Sequence, residues 1–216
     1  ELHREVSEGA TAWLESVELA APPEPPARRP SDIAVVGMAC VFPGASDLDA
    51  YWSNIVRGVN SIREVSPARW DPAVYFDPHG KAGETTPSKW GGFLDPVPFE
   101  PTRYGIPPRS LPSIDPAQLL SLEVARRALE DAGYGRREFD RERTAVVFGT
   151  EGGSDLSHAY GFRALYPRYA GAIPPELDEV LPVATEDTFP GVLANVISGR
   201  IANRLDLGGE NYTVNA

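Results

Sequence analysis

The 216-residue sequence is poor in the residues that build metal sites and covalent cross-links: it has one cysteine, Cys40, one methionine, and three histidines, His3, His79 and His158. A lone thiol makes no internal disulfide, and with three scattered histidines it supplies no standard zinc ligand set, so no metal is expected. Positive charge is also short. Twenty Lys and Arg against 31 Asp and Glu leave a formal charge of −11 and a pI near 4.8, so there is no positive field to draw in phosphates and nonspecific nucleic-acid binding is excluded. No apolar run approaches the roughly 18 to 20 residues that span a bilayer, and the N-terminus has neither a basic n-region nor an apolar h-region. A soluble, cytoplasmic chain without a membrane span is expected.

Hydrophobic residues make up 42% of the chain, enough for one domain's core or for half of a larger one. Proline is plentiful and unevenly placed. The stretch APPEPPARRP, residues 21–30, holds five prolines, favours extended polyproline II and separates the N-terminal segment from the rest of the chain. Residues 1–31 are therefore read as a linker or the tail of a preceding domain. A short amphipathic helix over Trp13, Leu14 and Val17 within them is the alternative docking element.

From residue 32 onward the apolar pattern is that of an α/β protein. Ile33, Ala34, Val35 and Val36 read as a buried strand running into Gly37; the adjoining GMACVFPG lacks the G-x-G-x-x-G spacing of a dinucleotide loop. Cys40 reads as a small buried filler, since no histidine or basic residue lies close in sequence to stabilise a thiolate. Asp47 caps a predicted helix over Leu48, Tyr51, Trp52, Ile55 and Val56, whose aromatics are expected in the core. Residues 60–112 are rich in Pro, Gly and Asp and form a long excursion pinned by aromatics, with His79 facing solvent. Asp115, Pro116 and Gln118 start a helix with a mechanism: Asp as N-cap, Pro at the first position, and Gln at the third, able to reach back to the cap. Leu119, Leu122, Val124, Ala125, Ala128, Leu129 and Ala132 give it a broad apolar face. Thr144 through Phe148 read as a second buried strand, which delivers Gly149, Thr150, Glu151, Gly152 and Gly153 at its C-terminal end. The segment after it, with His158, is partly helical.

The last stretch, TFPGVLANVISGRIANRLDLGGENYTVNA, organises the rest. From Pro190, apolar residues at Val192, Leu193, Val196, Ile197, Ile201 and Leu205 line one face of a single predicted helix that Gly208 and Gly209 end. Asn211, Tyr212, Thr213 and Val214 then form a strand whose C-terminal end is where open α/β sheets carry their chemistry.

Several of these segments together resemble the β-ketoacyl synthase family. IAVVGMACVFPGA is similar to the family's opening strand and loop. Arg69-Trp70, the Tyr-Phe-Asp-Pro at 75–78 and the Gly-Gly-Phe-Leu at 91–94 are similar to its excursion. SIDPAQLLSLEVARRALEDAGY resembles its Met-Asp-Pro-Gln-Gln helix, with Ile114 and Ala117 as departures. GRIANRLDLGGENYTVNA looks like the stretch just before its nucleophile. Phe189-Pro190-Gly191 and the run 199–209 are most like the ketosynthases of polyunsaturated fatty acid synthases and their iterative polyketide relatives.

The resemblance covers residues 32–216 and implies an α/β, thiolase-like layered fold, of which this is the first half with a long loop-rich insertion. The implied reaction is decarboxylative Claisen condensation. The catalytic cysteine and histidines of the family fall beyond these residues, so no catalytic residue is assigned and this chain alone is expected to be inactive. Thr150, Glu151, Gly152 and Gly153 are expected beside the substrate channel, and Asn211, Tyr212, Thr213 and Val214 at a homodimer interface. The implied partners are an acyl carrier protein, whose phosphopantetheine is the substrate arm, and the C-terminal half of the ketosynthase. No directly bound cofactor is implied. Two other readings remain: a non-catalytic half-domain docking a carrier protein or complementary chain, and a small independent enzyme using Cys40 or a histidine.

Overall fold

The computed structural model describes residues 33–80, 84–151 and 153–215, and Val35–Ala216 forms one compact unit. The linker and early helix read from residues 1–31 lie outside the described residues. Helix α1, Leu48–Val56, starts where Asp47 accepts a hydrogen bond from the Ala50 amide at 2.9 Å. The excursion contains short elements of its own: strand β1, Ile62–Glu64, the single turn α2, Pro72–Tyr75, and strand β2, Trp90–Gly92, which pairs antiparallel with β1. Two 3-10 turns, Pro101–Tyr104 and Pro108–Ser113, lead to α3, Pro116–Asp131. Then come β3, Val146–Thr150, and α4, Asp155–Ala170. They are succeeded by the turn α5, Pro175–Asp178, then α6, Thr188–Val192, α7, Val196–Arg204, and β4, Asn211–Asn215.

The core forms where α3, α7 and β3 meet. Leu122 from α3, Val146 from β3, and Ile197, Ile201 and Ala202 from α7 are buried together with Tyr104, Ile106 and Ile114 from the 3-10 region. Strands β3 and β4 are parallel, which requires a crossover; α4 to α7 supply it. The turn into β4 needs glycine at position 209, where a Cβ would sit 2.5 Å from the Thr144 carbonyl oxygen. Thr213 then donates to Ser198 Oγ at 3.0 Å, fastening β4 to α7.

Four sequence expectations are corrected. Residues 33–36 form no strand, and Ile33 is 93% exposed. Burial of an all-apolar strand needs neighbours on both faces, and β3 and β4 form only a two-stranded sheet among the described residues. The aromatics of α1 are not core: no residue of that helix is buried, and Trp52 is 66% exposed. The second strand begins at Val146 rather than Thr144 and is buried only there; Val147 faces out at 58% exposure. Finally, the single helix read from Pro190 to Leu205 is two, α6 and α7, with Leu193 extended between them (ψ 123°). A continuous helix would use the carbonyls of Pro190, Gly191 and Leu193 for its own amides. Here the two hydrogens of the Gln118 amide are shared among all three, at 3.0, 2.8 and 3.1 Å, and the Gly191 and Leu193 carbonyls also accept from the Asp115 and Val196 amides. The region of residues 155–170, expected to be partly helical, is helical throughout.

Candidate functional site at the strand ends

The register of the parallel pair runs from Val146 opposite Asn211 to Thr150 opposite Asn215, so β3 and β4 finish together. Three elements close around that end. After β3 come Thr150, Glu151 and Gly153, with the Thr150 hydroxyl donating to the Glu151 carbonyl at 3.1 Å. Ser154 then starts α4 through a reciprocal cap: its Oγ accepts from the Ser157 amide at 3.2 Å while its amide donates to Ser157 Oγ at 3.0 Å. From a second side α3 presents Asp115 and Gln118. From a third come Leu193, Ala194 and Ile197 at the break between α6 and α7. Together they line a cavity of about 40 Å³.

Gln118 holds this arrangement. It is 1% exposed, and its Oε1 accepts from Arg200 Nε at 2.7 Å while its amide donates to the carbonyls of the helix break. Both ends of the amide are thus satisfied inside the protein. The expectation that Gln118 reaches back to the helix cap is therefore wrong: its side chain is taken by residues more than seventy positions later. Arg200 is half-buried, and burial, then the nearby charge of Arg204, pulls its pKa down. The Asp115 amide donates to the Gly191 carbonyl at 2.8 Å, and a Cβ at position 191 would lie 1.8 Å from the Ser113 carbonyl oxygen. Only glycine admits so close an approach. Asp115 caps α3 as expected, Oδ1 accepting from the Ala117 amide at 2.7 Å.

Of the residues singled out in the sequence, Thr150, Glu151 and Gly153 thus come together at the strand ends, and Gly152 lies outside the described residues. Asn211, Tyr212, Thr213 and Val214 run along β4, with Tyr212 and Val214 exposed and Thr213 turned toward α7. Cys40 stands apart. It is half-buried rather than buried and lines a separate apolar cleft of about 600 Å³ with Val124, Ala128, Leu129, Val147 and Leu205. Burial, then the charge of Asp47, pushes the thiol up in pKa, the opposite of what a nucleophile needs. His79 is exposed on its loop, and His158 is exposed in the first turn of α4. Among the described residues no group of three or more His, Cys, Asp or Glu is placed to hold a metal, and no helix is long and apolar enough to cross a membrane.

Sequence reading missed a second polar cluster on α3. Glu123 is buried and accepts from Arg126 at 2.7 Å, from Arg127 at 2.8 Å and from the Tyr104 hydroxyl. Burial alone would raise its pKa. The bonds from Arg126, Tyr104 and Arg127 outweigh that and bring it down to about 2. Burial and the bond to Glu123 push Tyr104 up to about 12. The cluster fastens the first 3-10 turn to α3. A Glu on the face that also carries Leu119 and Leu122 was the available signal, but its partner Tyr104 comes from the excursion.

This is a thiolase-like α/β arrangement, and solved structures with the same fold are ketosynthase domains. The oxazolomycin ketosynthase domain OzmH KS7 of Streptomyces albus JA3453 superposes with a TM-score of 0.64 at 24% identity, over 84% of this chain and 28% of that one. The ketosynthase from module 6 of the bacillaene synthase of Bacillus subtilis 168 superposes with a TM-score of 0.55 at 25% identity, over 84% and 26%. The chain belongs to the β-ketoacyl synthase family, whose N-terminal domain pattern matches residues 30–216. Its relatives include polyketide synthase ThaG of Burkholderia thailandensis, 40% identical over 68% of this chain and 3% of that protein. Orsellinic acid synthase of Beauveria bassiana is 45% identical over 48% and 5%. The chain spans less than a tenth of these relatives' length.

Proposed function

We propose that this chain contributes the first part of a condensing site that catalyses decarboxylative Claisen condensation on carrier-bound thioesters. An acyl group is held as a thioester on a cysteine of the completed domain. Malonyl on a carrier protein's phosphopantetheine loses carbon dioxide, and the carbanion left behind attacks the acyl carbonyl, forming a carbon–carbon bond and releasing the cysteine thiolate. The step needs an activated thiolate and donors for the developing oxyanion. This chain supplies neither. It supplies the frame: β4 leads toward the nucleophile, and Thr150, Glu151, Gly152 and Gly153 border the channel. Asn211, Tyr212, Thr213 and Val214 meet their counterparts in a second subunit. Whether the product is a polyketide or a fatty acid depends on the remainder of the domain.

The observation that carries this reading is the shared end of β3 and β4, with a loop of small residues beside it. An acyl-thioester assay tests it. Malonyl-dependent extension is expected from a ketosynthase polypeptide that includes this chain, and none from residues 1–216 alone; extension by the short chain would overturn the assignment. A second reading, a non-catalytic half-domain that docks a complementary chain, draws on the exposed apolar side chains of residues 33–36 and α1. Tight binding to a separately made C-terminal half, with no condensation by the mixture, would favour it.

A further inference from the structure

One polar atom at the strand ends is left over. Asp115 is 6% exposed, its Oδ1 caps α3, and its Oδ2 is buried with no hydrogen-bond partner among the described residues. A buried carboxylate oxygen without a donor is rare, and a bound water or ion is one way in which such an atom is satisfied. Asp115 lines the cavity of about 40 Å³. A site for one water needs about 10 to 15 Å³ of such space, so the cavity takes a water-sized guest at Oδ2 and no thioester or nucleotide.

The other lining groups decide the guest's polarity. The Thr150 hydroxyl spends its hydrogen on the Glu151 carbonyl and offers lone pairs. The Leu193 carbonyl already accepts from Gln118 and from the Val196 amide, both at 3.1 Å, so its two lone pairs are taken. No Lys or Arg is among the lining residues. The open groups are thus acceptors, Asp115 Oδ2 and the Thr150 hydroxyl oxygen, which disfavours chloride and calls for a species that gives hydrogen or carries positive charge.

We infer that Asp115 Oδ2 anchors a single water-sized guest, a water molecule or an alkali cation, which joins the cap of α3 to the loop after β3. The site goes beyond the condensing role and stands whether or not the completed protein condenses thioesters. The experiment is crystallography of the full polypeptide, grown once in rubidium chloride and once in choline chloride, with data on both sides of the rubidium absorption edge. A peak at hydrogen-bonding or cation-coordinating distance from Oδ2 is expected in both salts. An anomalous signal in rubidium identifies the cation, and its absence identifies water. Asp115→Ser keeps a good N-cap but removes the second oxygen, and the peak should be lost. The inference is overturned if the wild-type map shows no peak there, if another part of the protein donates directly to Oδ2, or if the peak stays unmoved in the Ser variant. The wild-type map alone decides the matter should that variant fail to fold.

Discussion

Helices α1 and α3 begin alike and end differently. Each is capped by an aspartate whose side chain accepts from an amide of the first turn, and each carries apolar residues at helical spacing. Helix α3 buries Gln118, Leu122 and Glu123; α1 buries nothing, and Trp52, Ile55 and Val56 stand in solvent. The cap is a local event, settled by residues within one turn. Burial is settled by what arrives from elsewhere, and only α3 receives it, from α7, β3 and the 3-10 turns. Residues 33–36 and strand β3 repeat the contrast, both apolar in sequence and only β3 paired.

The contrast is most vulnerable at Gln118. Gln118→Leu in a ketosynthase polypeptide carrying this chain removes the side-chain donor from the Pro190 carbonyl, leaves the Gly191 and Leu193 carbonyls with the Asp115 and Val196 amides alone, and takes away the acceptor of the Arg200 guanidinium. At about 1 to 3 kcal/mol for each buried group left unsatisfied, a loss on the order of 4 kcal/mol is expected in urea unfolding. A loss below about 1 kcal/mol would mean that Gln118 does not hold the helix break. Leu122→Ala in the same polypeptide should cost about 3 kcal/mol, within the usual range for a fully buried leucine, whereas Ile55→Ala, at a side chain exposed in this structure, should change little, about 0.5 kcal/mol or less. Equal effects at the two positions would erase the distinction between the helices.

Stability should also depend on pH through the polar cluster of α3, for which α1 has no counterpart. Glu123 has a folded pKa below its unfolded value, so its contribution is fully present above about 4.5 and is lost as pH falls through about 2. Tyr104 is raised from 10 to about 12, so its contribution is present below 10 and is lost as pH rises through 12. Glu123→Gln should flatten the acid limb in urea titrations; an unchanged limb would show that other carboxylates set it. The smallest effect is at the sheet edge. Thr213→Pro removes one backbone donor from β4 and should weaken a dimer of the completed domain, as read by sedimentation; a domain already monomeric before the change would remove the interface assignment.

Legibility in the sequence divides along the same line between local and distant causes. The caps at Asp47 and Asp115, strand β4 and the gathering of Thr150, Glu151 and Gly153 at a strand end were legible, because each rests on near neighbours or on strand direction. The break at Leu193 was not. The apolar spacing through it is unbroken, and the group that interrupts the helix is an amide on α3, far away in sequence. Gln118 itself was legible only as a helix-start residue, since nothing local says that its side chain turns inward. The exposure of residues 33–36 was hidden for the same reason: composition records what a strand would bury, and its cover comes from other segments.

On the proposed reading these residues are one part of a larger fold, and the remainder covers apolar side chains exposed here, among them Ile33, Trp52 and Val56. Leaving even ~400 Å² of such surface in water forgoes about 10 kcal/mol at ~25 cal/mol per Å², comparable to a domain's whole stability. The most direct measurement is hydrophobic-dye fluorescence with sedimentation, made on residues 32–216 alone and on the same residues continued through a complete ketosynthase domain. Strong dye binding with aggregation or a non-native dimer is predicted for the short chain, and neither for the long one. A monodisperse monomer of residues 32–216 that melts cooperatively and binds no dye would contradict the claim.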